Sequence, residues 1–362
     1  MRSDFLIIGA GIMGYAVAFE LVRQGATVTL VERGRAGCGA SWAGGGILSP
    51  LLPWDYAPAV TRLTDYSVGL YEAWTAKLAA ETGIDAEFRR CGLWVLPPYD
   101  HPAAMNWCSQ HATRIERSAT PQNLVPQIAA EGETLWLPDT AQVRNPRLLR
   151  ALRRWLEIRG VGIVENAEAT SFCLEGDEVT GVETARGRFA AGAYIVCAGA
   201  WSGKLLGPLA AGLEVTPIRG QMLLLRIDPR PIEAIVLQGG RYIIPRNDGH
   251  VLVGSTLENA GFDASIDLAA GRELLNWALG VLPLLKGAER VRQWAGLRPG
   301  YPNNVPLIDK HPRIANLYVN TGHFRYGVTM APGSARLLVD PLFGKSPAID
   351  VNAYRWPAGA SR

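Results

Sequence analysis

Apolar residues fall in two rhythms along this chain, short unbroken runs and longer stretches at helical spacing, and their alternation sets the fold class. Phe5-Leu6-Ile7-Ile8 is an apolar run of the kind that forms a strand covered on both faces. It leads into Gly9-Ala10-Gly11-Ile12-Met13-Gly14, a helix-patterned segment from Tyr15 to Arg23, and a second apolar run from Thr27 to Val31. Strand, glycine turn, helix and strand in that order predict a βαβ unit. Val60, Leu63, Tyr66, Leu70, Trp74 and Leu78 keep near-helical spacing, which predicts a long helix over 58–82 stopped by Gly83. From about 87 to 139 the pattern changes. Short runs such as Gly92-Leu93-Trp94-Val95-Leu96 alternate with Pro-containing turns and one helix near 103–114, so the segment reads as an insertion.

Helical spacing returns over 146–159, followed by strands at 161–164 and 178–184 and a fully apolar strand from Tyr194 to Ala198. Segments 215–226, 232–237, 241–246 and 250–255 predict four strands in succession, hence an antiparallel sheet. A helix over 268–282, a switch of pattern at 291–294 and a strand-to-helix passage over 317–338 complete the chain. The expected fold is α/β. A Rossmann-like domain (1–86, 140–214 and 290–362) is interleaved with a mostly antiparallel-sheet substrate domain (87–139 and 215–289). At 362 residues, 48% hydrophobic and 19% charged, the chain can fill two cores and is not expected to be disordered.

The glycine turn has the chemistry of a dinucleotide pocket. Gly9 permits the tight turn off the strand, Gly11 lets a pyrophosphate approach the backbone, and Gly14 lets helix and strand pack closely. The phosphates would then meet the free N–H groups and positive end of the helix. Glu32 stands where an acid accepts hydrogen bonds from both ribose hydroxyls and repels a 2′-phosphate, which favours FAD or NAD over NADP.

Charge and cysteines exclude other classes. A formal charge of +3 without a polybasic tail argues against nucleic acid. The five cysteines form no CxxC pair and no His-rich cluster, so no metal site is expected. The first strand begins a few residues after Met1, leaving no room for a secretory signal, and there is no apolar run of about 18 residues. The expectation is a cytoplasmic protein without integral membrane contact or disulfides.

Six motifs occur in a recognisable order. They are Gly9 to Gly14, Ser41-Trp42-Ala43-Gly44-Gly45-Gly46, Ala198-Gly199-Ala200-Trp201-Ser202, Pro217-Ile218-Arg219-Gly220-Gln221, Ala295-Gly296-Leu297-Arg298-Pro299 and Gly322-His323-Phe324-Arg325-Tyr326-Gly327. Over nearly its whole length the chain resembles the D-amino-acid oxidase superfamily of flavoproteins, and most nearly its members that act on glycine. The resemblance implies a D-amino-acid oxidase-like fold in which the Rossmann-like part is the FAD-binding domain. FAD is expected to be noncovalent, since no cysteine follows Cys197 to form a thioether.

The resemblance also implies a site. Arg298 and Tyr242 would bind a substrate carboxylate, a guanidinium fork being well shaped for bidentate recognition. Arg325 would lie near both substrate and flavin. Cofactor contacts would come from Gly9, Gly11, Ile12, Met13, Gly14, Glu32, Arg33, Ser41, Gly45, Gly46 and Ala169, then from Ala198, Gly199, Trp201, His323, Arg325, Gly327, Val328 and Thr329. A helix beginning near Gly327 would stabilise negative charge building on the flavin. Ala169 replaces a valine often found beside the adenine, and Ile47 and Leu257 fall where some relatives carry methionine beside the substrate.

The implied activity is oxidative deamination of glycine, sarcosine and small D-amino acids to an imine, then to a 2-oxo acid and ammonia. Molecular oxygen would be reduced to hydrogen peroxide, and the pathway would be the making of the thiamin thiazole. The implied partners are a small amino-acid substrate, O2 and further copies of the chain in a homo-oligomer. Two readings stay open beside it: a dehydrogenase of the same superfamily passing electrons to a quinone or carrier, and a nucleotide-binding protein without turnover.

Overall fold

In the computed structural model, which describes residues 2–118, 128–129 and 132–356, the first apolar run becomes the strand Ser3–Ile8 at the centre of a six-stranded sheet. Its order is Leu307–Lys310, Leu317–Thr321, Ala191–Val196, Ser3–Ile8, Val28–Val31 and Gly162–Val164. All pairs are parallel except the antiparallel edge at Leu307–Lys310. Side chains alternate across it. Ile7 and Leu30 join the core with Phe19, whereas Leu6, Ile8 and Val31 point the other way and pack with Val179 and Val182.

Those two faces are covered differently. On one lie the helices Ile12–Arg23 and Gly327–Leu342, with Pro58–Thr82 and Asn145–Ile158 packed against them. On the other sits an antiparallel meander of Ala169–Glu175, Glu178–Thr184 and Gly187–Phe189. Gly327–Leu342 contains Pro332, whose missing N–H leaves the Val328 carbonyl without its helical donor. The Tyr71 hydroxyl, from the neighbouring long helix, donates to that carbonyl instead.

The second sheet has eight strands, in the order Glu289–Gly300, Thr216–Arg226, His250–Gly254, Arg241–Pro245, Ile235–Gln238, Leu93–Leu96, Thr134–Leu137 and Glu116–Ser118. It is antiparallel except where Ile235–Gln238 meets Leu93–Leu96, so both expected insertions build one sheet. The last expected domain boundary, at 290, falls inside it. Glu289–Gly300 pairs along its length with Thr216–Arg226, so residues to Gly300 belong with this sheet; the periodic pattern at 291–294 gave no sign of its partner. The helix expected near 103–114 runs over His101–Gln110, because Asp100 caps it by accepting from the Ala103 N–H at 2.9 Å and Pro102 occupies its first turn. Among the described residues no helix is long and apolar enough to cross a membrane.

Candidate active site

Gly9 leaves the central strand with φ +107°, and a Cβ there would stand 2.5 Å from the Cys197 carbonyl oxygen. At Gly14 a Cβ would be 1.9 Å from the Gly9 carbonyl oxygen, so the helix can start directly on the turn only with glycine at both places. Gly14 therefore acts through packing and does not line the cavity. Gly11 offers no side-chain cap to the helix; the Ser41 hydroxyl, from a different loop, accepts from the Ile12 N–H at 2.9 Å. Glu32 ties the unit together, its carboxylate accepting from the N–H groups of Ala10 at 2.9 Å and Gly34 at 3.1 Å.

These residues form one end of a cavity of about 430 Å³. Gly9, Gly11, Ile12, Met13, Glu32, Arg33 and Ser41 line it at the mouth of the βαβ unit, beyond the carboxyl ends of the strands. Ala169, Ala198, Gly199 and Trp201 continue the wall, with the Arg33 guanidinium 3.5 Å from the centre of the Trp201 ring. His323, Gly327 and Val328 close the far end together with Arg298 and Arg325. No side chain caps the helix Gly327–Leu342, so its positive end lies open to the cavity. His323 is fully buried beside it, its Nε2 2.9 Å from the Ser334 hydroxyl, and burial pushes its pKa down to about 3. It is neutral at physiological pH.

A second space of about 70 Å³ adjoins the first, the two sharing Ala40, Gly44, Arg298, Arg325 and Val328. Gly45, Gly46, Ile47, Met222, Tyr242, Tyr326 and Thr329 are among the other residues of its wall. Gly45 and Gly46, expected at the cofactor, thus line the smaller space, as does Thr329, whose hydroxyl donates to the Ile47 carbonyl at 2.9 Å. Leu257 lines neither space and is 58% exposed, so of the two positions where relatives carry methionine only Ile47 faces this compartment.

The arginines define the chemistry of the small space. Arg298 Nη2 donates to the Ser255 hydroxyl at 2.8 Å and Nη1 to the Thr256 carbonyl at 3.1 Å. Arg325 Nη2 donates to the Gly240 carbonyl at 2.9 Å and reaches the same Ser255 hydroxyl at 3.5 Å. Among the described residues neither guanidinium has a carboxylate partner. Burial holds Arg298 below the usual arginine range; the Tyr242 ring beside it opposes this and the Arg325 charge adds to it. Two cations brought together, with neutral acceptors only, are an anion site in which the compensating charge must come from a ligand. The Tyr242 hydroxyl, directed at the Met222 sulfur at 3.3 Å, stands in the same wall.

Two participants escaped the sequence reading. Asn320 is fully buried at the end of the strand Leu317–Thr321, lines the large cavity, and leaves both atoms of its amide unpaired. A polar residue closing an otherwise strand-like run was its only signal. Arg246, buried behind the glycine loop, donates to the Gly45 carbonyl and to Gln142; at the end of a strand it had the look of a solvated turn residue. An elongated cavity, a helix N-terminus at each end and an orphaned amide are what the diphosphate, ribose and ring edges of FAD require.

Comparison with known proteins agrees with that fit. The family described as FAD dependent oxidoreductase matches residues 4–340. The glycine oxidase of Pseudomonas aeruginosa is 42% identical over 99% of this chain and 100% of its own. The bifunctional protein ThiO/ThiG of a Nostoc species is 32% identical over 94% of this chain and 52% of its own length. Among solved structures, glycine oxidase from Geobacillus kaustophilus superposes with a TM-score of 0.93 at 27% identity, covering 99% of each chain.

Proposed function

Because the chain belongs to the family of FAD-dependent oxidoreductases, we propose that it oxidises glycine and amines of similar size to the imine, which water hydrolyses to a 2-oxo acid and ammonia. The observation that carries this reading is the pair of guanidiniums, Arg298 and Arg325, without acid partners at the junction of a dinucleotide-sized cavity and a very small one. At roughly 10–15 Å³ per water-sized atom, a space of about 70 Å³ has the capacity of glycine, sarcosine or alanine and not of a larger side chain.

In this reading Arg298 takes the substrate carboxylate in its fork, Tyr242 donates its hydroxyl to the same group, and Arg325 adds charge from the cavity side. The amine and Cα are thereby directed toward the larger space. FAD, when bound, would supply a two-electron acceptor there, with O2 as the final oxidant and hydrogen peroxide as the product of its reduction. His323 is neutral and engaged with Ser334, and no carboxylate lines the small space. The residues accordingly work by orientation and by electrostatics, with the amine bound in its neutral form. The open end of helix Gly327–Leu342 favours negative charge developing beside it. The same reading has the product imine captured for the thiamin thiazole, which the likeness to a protein named ThiO/ThiG supports.

The test is the visible spectrum of the purified holoprotein under anaerobic conditions. Glycine should bleach the flavin bands, and admitting air should restore them with stoichiometric peroxide. Unchanged bands with glycine, sarcosine and D-alanine would overturn the reading; bleaching followed by slow recovery in air would replace O2 by a quinone or carrier.

A further inference from the structure

The sequence motif Ser41 to Gly46 becomes the end of a short helix, Ala40–Ala43, and a glycine loop beside the two cavities, and what holds that loop comes from an unexpected direction. Arg246 follows the strand Arg241–Pro245 of the eight-stranded sheet and is 3% exposed. Its Nη2 donates to the Gly45 carbonyl at 2.6 Å, and its Nη1 to Gln142 Oε1 at 2.6 Å and to the Val143 carbonyl at 3.0 Å. Gln142 is itself held, donating to the Pro245 carbonyl at 3.2 Å and the Cys91 sulfur at 3.1 Å. The Val143 N–H returns to the Gly46 carbonyl at 2.9 Å. Arg246 lines neither cavity, whereas Gly44, Gly45 and Gly46 do line the small one.

The Gly45 carbonyl and the Gly46 N–H belong to one planar trans peptide and point in opposite directions. With the carbonyl drawn back onto Arg246, the N–H is turned away from it, and among the described residues it donates to no backbone acceptor. We infer that Arg246 is a positioning residue for the cofactor: its guanidinium fixes the plane of the Gly45–Gly46 peptide and with it the course of the chain from Gly44, which lines both spaces, past the bound flavin. Lysine cannot reproduce this, since one ammonium lacks the fork that spans Gly45, Val143 and Gln142 at once.

A second consequence is electrostatic. Arg246 has neutral acceptors only, and its Nε is buried without a partner. A buried cation hydrogen-bonded only to neutral groups, with the Glu87 carboxylate acting on it from a distance, favours the form of the cofactor that carries more negative charge, which is the reduced one. The inference rests on FAD occupying the site and not on the choice of substrate, so the two stand or fall separately.

The experiment titrates the flavin chemically with dithionite against reference dyes, without amine substrate, in wild type, Arg246→Met and Arg246→Lys. Arg246→Met should shift the oxidised-to-reduced equilibrium about tenfold toward oxidised, or about 30 mV for a two-electron couple. It should also change the resolution of the flavin absorption bands and raise the FAD dissociation constant about tenfold. Arg246→Lys, keeping the charge and losing the fork, should lie near wild type in the redox equilibrium and near Arg246→Met in FAD dissociation. Wild-type redox equilibrium, spectrum and dissociation constant in Arg246→Met would overturn the inference whatever its melting temperature. If Arg246→Met does not fold, wild-type values of the spectrum and dissociation constant in Arg246→Lys overturn it. Failure to bleach with glycine would leave these outcomes untouched and remove only the substrate assignment.

Discussion

Removing the Arg298 guanidinium tests the carboxylate site most directly. In Arg298→Ala the substrate loses its fork while Arg325 remains, so the effect is that of truncating one partner of a largely desolvated charge pair, about 2–5 kcal/mol. The structure narrows the figure. Arg298 spends one Nη2 hydrogen on Ser255 and Nη1 on the Thr256 and Arg219 carbonyls, which leaves few N–H groups for a ligand; a charge-assisted hydrogen bond contributes about 1.5–3 kcal/mol. Relief of the repulsion on Arg325 works in the opposite sense. A net loss of about 3 kcal/mol raises the dissociation constant of a carboxylate ligand about 150-fold. The assay is the perturbation of the flavin spectrum by acetate or glycolate, with kcat/KM for glycine measured beside it. Methylamine, which has no carboxylate, should lose far less, so the preference for glycine over methylamine should fall by the same factor. Equal losses for both amines, or tight acetate binding in Arg298→Ala together with weak binding in Arg325→Ala, would refute the assignment of the carboxylate to Arg298.

Three further substitutions probe the rest of the site. In Gly45→Ala the new methyl group would stand 2.8 Å from Ile244 Cδ1 and 3.0 Å from Tyr242 Cε2; displacing the Tyr242 ring should raise KM for glycine about tenfold, or about 1.4 kcal/mol, and steady-state kinetics that leave KM unchanged would contradict the placement of Tyr242. Glu32→Gln weakens the tie between the glycine turn and the second strand and removes the charge expected to face the ribose; FAD released on dilution, followed by flavin fluorescence, should show a dissociation constant raised about tenfold, and an unchanged value would count against that role. For His323 the folded pKa of about 3 lies below the ordinary 6.5, so its neutral form stabilises the fold fully above about pH 6.5 and that contribution is lost as pH falls toward about 3. His323→Asn, which keeps a polar partner for Ser334, should flatten the acid limb of a Tm-against-pH plot over that interval; a limb of unchanged slope would contradict the burial argument.

What the sequence disclosed followed the range of the interactions. The turn from Gly9 to Gly14 was legible because its constraints are local: a strand, a helix and the contact between Gly14 and the Gly9 carbonyl all lie within one βαβ unit. The helix Pro58–Thr82 was legible for the same reason, its buried face repeating at helical spacing and its end marked by Gly83 in the left-handed conformation. The second sheet was harder. Its strands between 215 and 255 and the run at Leu93–Leu96 were recognised, Glu116–Ser118 and Thr134–Leu137 were not, and nothing in an isolated run such as Glu289–Gly300 names its neighbour.

The site shows the same division, and that division explains which residues could be found. Arg298 and Arg325 were named because their motifs resemble those of a known family, each with a glycine or proline within two residues. Arg246 was not, because its value lies in a long-range triangle: the Gly45 carbonyl from one segment, Gln142 and Val143 from another, and its own strand from a third. Such a residue carries no local pattern. It is recognised by physical necessity, since a guanidinium buried among neutral acceptors costs several kcal/mol in desolvation and persists only where several contacts at once hold it. The same reasoning applies to Asn320, whose buried amide has no protein partner and lines the dinucleotide-sized cavity, where a ligand with polar edges would satisfy it. Both halves of the molecule therefore meet at the glycine loop. The parallel sheet supplies Arg325 and the ends of strands and helices that cradle a dinucleotide, and the antiparallel sheet supplies Arg298 and Arg246.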